Sequence, residues 1–155
     1  SLGYNAPSWL AKWVAKENFK PFIRQVVYLI EDELKYLPAS PDNGNDFYRI
    51  AGVKLWHDGS PYSGAMHLHD AYLESELTSK LGIKPGQTGE PVIDADKFSN
   101  LIETYPDAGW QLAIHSQGDA SNDAILDLLD ALPGDVRGAR HRLEHNLLLP
   151  VEQLK

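Results

Sequence analysis

The 155-residue chain has no cysteine, so it can form neither a disulfide frame nor a thiolate metal site, and structural zinc of the finger type is excluded. Any metal must rest on His, Asp, Glu or a modified Lys. Long hydrophobic runs are also missing: the longest apolar stretches, Val26 to Ile30 and Leu147 to Val151, fall far short of a bilayer span, so no membrane partner is expected. Positive charge is scarce, with 14 Lys and Arg against 22 Asp and Glu, and the net charge of -8 opposes binding to DNA or RNA. The chain opens on Ser1 with neither an initiator Met nor a basic-then-apolar leader, which suggests an internal piece of something longer, with cytoplasm as the default compartment.

What is present is an ordinary globular composition, 43% hydrophobic and 23% charged, compatible with one domain. Pro7-Ser8 and the spacing of Trp9, Leu10, Trp13 and Val14 predict a helix over about 8–18. Phe22 to Ile30 is β-branched and aromatic with little polar relief, the pattern of a strand covered on both faces. A short helix is expected over 31–37, then a turn-rich loop. A strand resumes at Tyr48, in which Ile50, Gly52, Lys54 and Trp56 should share one face and Ala51, Val53 and Leu55 the other.

Residues 58–91 form an unusually long, glycine-punctuated connection, as lids and binding loops do. Asp94 should cap a helix carrying Ala95, Phe98, Leu101, Ile102 and Tyr105 on one stripe and ending at Pro106. A strand over 110–114, a helix carrying Ala124, Ile125, Leu128, Leu129 and Leu132, and a last strand over 141–144 complete the order. Strand, helix, strand, helix, strand implies an α/β class with parallel crossovers.

Three of these strands end on residues that can serve a metal: Lys54 in GVKLWHDGS, His115 in WQLAIHSQGD and His145 in RHRLEHN. A parallel strand that stops on a polar residue delivers it to the carboxyl edge of the sheet, where α/β enzymes build their sites. His115 and His145 lie one strand-helix-strand unit apart, so neighbouring strand ends could share one ion. Lys54 on a covered strand is costly as an ammonium unless paired, and burial lowers its pKa toward the neutral amine. A neutral amine could form a Schiff base or take up carbon dioxide to become a metal-bridging carbamate. The structural alternative is an ion pair with an acid such as Asp58 or Glu144.

GVKLWHDGS, LAIHSQGDASNDAILD and RHRLEHNLLLPVEQL, in that order and spacing, resemble the amidohydrolase superfamily, within it the amidohydrolase 3 group that includes N-substituted formamide deformylases. The resemblance spans roughly Ile50 to Leu154. It implies a (β/α)8 TIM-type barrel in which the first strand supplies a His-x-His pair, the fourth a lysine that can be carbamylated, the fifth and sixth one histidine each, and the eighth an aspartate. Lys54, His115 and His145 match the middle three stations, so the whole of 1–155 is expected to be the central portion of a barrel, roughly strands 3 to 6, with both ends missing.

The activity implied is hydrolysis of C-N bonds in small-molecule, non-peptide amides by metal-activated water, with one or two divalent ions, zinc being the expected metal. The isolated chain should bind metal weakly, turn over slowly or not at all, and self-associate through open strand edges. Asp58 and Ser60 fall in the expected substrate-side loop. His67 and His69 of MHLHD follow Lys54 in a loop and read as surface histidines rather than the first-strand pair. His57 stands where a small or apolar residue is expected.

Two other classes fit less of the chain. IHSQGD partly matches a nucleophile elbow, with Ser116 as nucleophile, Gly118 after it, and Asp135 and then His141 or His145 in α/β-hydrolase order, but Ile114 occupies the place of a small residue. A non-catalytic binding or assembly module is the other alternative, although aromatics at helical spacing such as Trp9 and Trp13 are more often core than ligand platform.

Overall fold

A computed structural model describes residues 23–137 and 139–154; the helix expected over 8–18 lies outside them. Four parallel strands, β1 (Gln25–Ile30), β2 (Tyr48–Trp56), β3 (Gln111–Ser116) and β4 (Arg142–His145), form one sheet in the order β1-β2-β3-β4. Because every pairing is parallel, all four carboxyl ends lie along one edge. That edge carries the candidate site.

The crossovers are helical where the apolar stripes required it. A 3-10 turn over Glu31–Tyr36 leaves β1, as expected. Helix α2 (Ala95–Asp107) starts where the Asp94 side chain accepts the Lys97 amide, and it buries Phe98, Leu101 and Ile102. Pro106 sits within its last turn instead of ending it. Helix α3 (Asp119–Ala131) buries Ile125 among the same neighbours. The short helices α1 (Glu76–Lys80) and α4 (Gly134–Arg137) add little to this layer.

Val53, Leu55, Leu112 and Ile114 form the outer face of the sheet and pack with Phe98, Leu101, Ile102, Ile125 and Leu132 into the main core. At roughly 25 cal/mol per Å² of apolar surface removed from water, this layer is the chief source of stability. A second cluster joins Leu29, Tyr48, Ile50 and Trp110 at the other end of the strands.

Two expectations about strand faces are corrected here. β1 begins at Gln25, and Val26 is 54% exposed, so among the described residues this strand is not covered on both faces. Its place at the sheet edge leaves that side chain unpacked. Ile50 does not share the Lys54 face: Val27 pairs with Ile50 but Tyr28 with Gly52, so Ala51 is an extra residue that shifts the alternation. Ile50 joins the apolar cluster with Leu29 and Trp110, while Gly52, Lys54 and Trp56 keep the inner face. A Cβ at Gly52 would stand 1.9 Å from the Gln111 carbonyl oxygen and 3.1 Å from the Tyr28 ring, so only glycine fits.

Candidate active site

Strand register aligns Lys54 with Ala113, Ala113 with Arg142, and His115 with Glu144, placing all of them on the inner face. Lys54 is 2% exposed, and its Nζ donates to Glu144 Oε2 at 2.6 Å. Arg142 reaches the other carboxylate oxygen at 3.3 Å and stacks over the Tyr28 ring. Tyr28 in turn donates its hydroxyl proton to Gln111 Oε1. The inner face is therefore a polar lattice in which Glu144 joins two cations. Burial pushes the Lys54 amine below its ordinary pKa, and the Glu144 hydrogen bond and charge pull it back.

His145 aligns with Ser116, not with His115, so simple alternation would turn it toward the outer layer. Its backbone is left-handed instead, with φ of 83°, followed by Asn146 at 46°. Two consecutive non-glycine residues in this region are costly and need outside support. Support comes from Asn146, whose amide donates to the Ser116 carbonyl and whose side chain donates to the Leu143 carbonyl. The result brings the His145 and His115 rings edge to face, with centroids 4.5 Å apart.

His115 lies at the carboxyl end of β3, beside Trp56 in register. Its Nε2 is buried without a hydrogen-bond partner, 3.7 Å from Asp58 Oδ1. Burial, then the neighbouring His145, hold this imidazole below its ordinary pKa; the Asp58 charge opposes them and Lys54 adds to them. A neutral imidazole is the form that ligates metal. Among the described residues no three His, Asp or Glu side chains are grouped so as to hold an ion. The donors still suit one: two imidazoles in contact and a lysine whose charge is disfavoured by burial.

Of the other candidates only Asp58 adjoins this cluster. Asp58 is buried, and its carboxylate accepts the amides of His67, Gln117 and Gly118 at 3.1, 3.0 and 2.9 Å, tying the long loop to the start of α3. Gly118 is required there, since a Cβ would stand 1.8 Å from the His67 carbonyl oxygen. Ser60 is exposed and accepts the Tyr62 amide at the start of a 3-10 turn. His57 is buried on the helix side, with Nδ1 2.6 Å from Ser121 Oγ and its ring against Phe98, so it pins β2 to α3. His69 is exposed and paired with Asp123 at 2.7 Å. His67 Nδ1 is buried without a partner, and this ring faces His57 at 6.2 Å, away from the His115–His145 pair in its contacts.

The serine-nucleophile alternative is corrected by the same geometry. Ser116 is fully buried, donates to Asn122 Oδ1 at 2.5 Å, and is not among the residues with positive φ that a strained elbow demands. The inner-face residues Tyr28, Gln111 and Arg142 were not singled out from the sequence. Arg142 could have been, because it lies two residues before Glu144 in RLEH and so shares its face of the strand; the Glu144 partner expected for Lys54 is the one observed.

Fold and site together define an α/β barrel-type protein with its chemistry at the strand carboxyl ends. Residues 9–155 match the amidohydrolase 3 model of the amidohydrolase family, and the chain belongs to that family. A crystal structure of an uncharacterized metal-dependent hydrolase from Pyrococcus furiosus superposes with a TM-score of 0.63 at 28% identity, covering 84% of this chain and 25% of that one. Its counterpart from Pyrococcus horikoshii OT3 gives 0.58 at 25% identity, covering 78% and 27%. The four-stranded sheet is thus a partial TIM-type barrel. Protein LONG AFTER FAR-RED 3 of Arabidopsis thaliana is 33% identical over 104 residues, 65% of this chain and 16% of that protein. The chain therefore spans about a sixth of this relative and about a quarter of the two hydrolases. No helix among the described residues is long and apolar enough to cross a membrane.

Proposed function

We propose that this chain supplies the central stations of a metal-dependent amidohydrolase that cleaves C-N bonds in small, non-peptide amides, N-substituted formamides among them. The observation that carries the proposal is the convergence of His115 and His145, rings 4.5 Å apart, at the carboxyl edge of a parallel sheet beside Lys54. His115 and His145 would hold a divalent ion, zinc by preference, and Lys54 would join them as a carbamate. When bound, such an ion lowers the pKa of water and polarises a carbonyl.

The chain's own residues prepare for this. Desolvation keeps His115 neutral and disfavours the Lys54 ammonium, the form that cannot add carbon dioxide. Glu144 holds Lys54 in place until that addition. The loop over 58–91 borders the site and is the proposed source of substrate selectivity.

Calorimetric titration with zinc tests the reading. The chain should bind zinc weakly, because two imidazoles and one lysine are only part of a ligand set, and His115→Ala or His145→Ala should each abolish the binding heat. Unchanged zinc binding in the double variant would overturn the assignment. Robust amidase activity of the isolated chain would contradict the incomplete site proposed for it.

A further inference from the structure

The structure assigns Asp58 a positioning role: its carboxylate fixes His115 by drawing the Nε2 proton, so that Nδ1 is the ring nitrogen offered to the site. The proposal rests on His115 being a metal ligand as far as the ion is concerned, but the Asp58–His115 coupling stands without it.

Three observations converge. Asp58 is 1% exposed and cannot swing away, because three backbone amides from two separate segments hold both of its oxygens. His115 Nε2 is buried with no hydrogen-bond partner, an expensive state for a ring nitrogen. The nearest charged acceptor is Asp58 Oδ1, 3.7 Å away. Closing that gap to a hydrogen bond of about 2.9 Å takes less than about 1 Å of ring movement, and such contacts commonly tighten only when a site is filled. A carboxylate that takes one ring proton sets the tautomer and leaves the other nitrogen's lone pair for a metal.

This changes what the DGS turn is for. Asp58 reaches no exposed surface and has no room for substrate; it couples the geometry of the long loop to the orientation of a ligand. Movement of the 67 or 117–118 backbone would shift the carboxylate and, through it, the imidazole.

The test is two-bond ¹H–¹⁵N correlation NMR on the full chain labelled at histidine, metal-free and with zinc, in the wild type and in Asp58→Asn. His115 is expected to carry a slowly exchanging Nε2 proton. Free histidine already favours this tautomer, so the discriminating comparison is with Asp58→Asn, where slow exchange should vanish and zinc affinity fall about 10- to 100-fold. Unchanged His141 resonances would show that the variant folds, since that ring is held by the Leu112 amide and the Val136 carbonyl and not by Asp58. Should it not fold, Asp58→Glu, which keeps the charge but moves it, serves instead and should shift the His115 ring signals. A proton on Nδ1, or a His115 spectrum indifferent to both variants, overturns the positioning role. Loss of the Nε2 proton on adding zinc overturns the assigned ligating atom. Zinc leaving both ring nitrogens unmoved would sink the metal reading while the tautomer comparison still judges Asp58.

Discussion

The two faces of the sheet come from the same strands and do opposite work. Outward, Val53, Leu55, Leu112 and Ile114 are at most 1% exposed and meet helices through apolar contact alone. Inward, Lys54, Glu144, Arg142, Tyr28 and Gln111 are linked by hydrogen bonds, an ion pair and a stacked guanidinium. Apolar burial is non-directional and tolerates small shifts of shape, whereas a buried charge is stable only with its partner in place. The outer face therefore holds the sheet together, and the inner face spends some of that stability on placing charged groups where water is scarce.

The largest effect should come from breaking the outer face. Phe98→Ala removes a 2% exposed ring from the core and from the His57 contact, and should cost about 3–5 kcal/mol in urea unfolding. A cost near zero would mean that the helical layer does not carry the fold.

On the inner face the effect should depend on which partner is removed. Glu144→Ala strands the buried Lys54 ammonium and should destabilise by about 3 kcal/mol or somewhat less, since lysine can escape by losing its proton. Lys54→Met removes the buried charge itself and should leave stability unchanged or raised by about 1 kcal/mol. Equal losses for both, measured by the same unfolding experiment, would put the inner face on the footing of the outer one.

The smallest effect concerns pH. Burial depresses His57, His115 and His141 below 6.5, so their contribution is present above that pH and is lost as pH falls below it toward their folded values. The exposed His69–Asp123 pair runs the other way for its histidine. His69 is raised from 6.5 by the Asp123 hydrogen bond, so its contribution is full below 6.5 and lost as pH rises through the raised value. Asp123 is lowered from 3.8 by the same bond, so the latch also fails as pH falls through the lowered value. It should hold best between about 4 and 6.5. Limited proteolysis of the 58–91 loop should be slowest in that window, and His69→Ala should remove the optimum without moving the unfolding midpoint much.

Much of this arrangement was legible in the sequence. The strand ends carrying Lys54 and His115, the Asp94 cap, the two helical stripes and the long loop after β2 are local patterns, readable because periodicity and capping act within a few residues. The bulge at Ala51 was not, because an extra residue shows only against a partner strand. Asp58 read as a substrate-side residue and is instead buried, since the His67 amide of its own loop and the distant Gln117 and Gly118 amides converge on it. His145 was placed at the right edge for an incomplete reason: alternation alone turns it outward, and a left-handed backbone brings it to His115.

The sequence by itself determined the α/β order, the absence of thiolate chemistry and the three polar residues sent to one edge of the sheet. Those features follow from side-chain period and composition, which need no distant partner. Only the tertiary structure decided that Glu144 takes Lys54, that Asp58 faces His115 and that His145 turns inward. Each depends on register between strands or on a turn held by another segment, and such contacts exist only once the chain has folded back on itself.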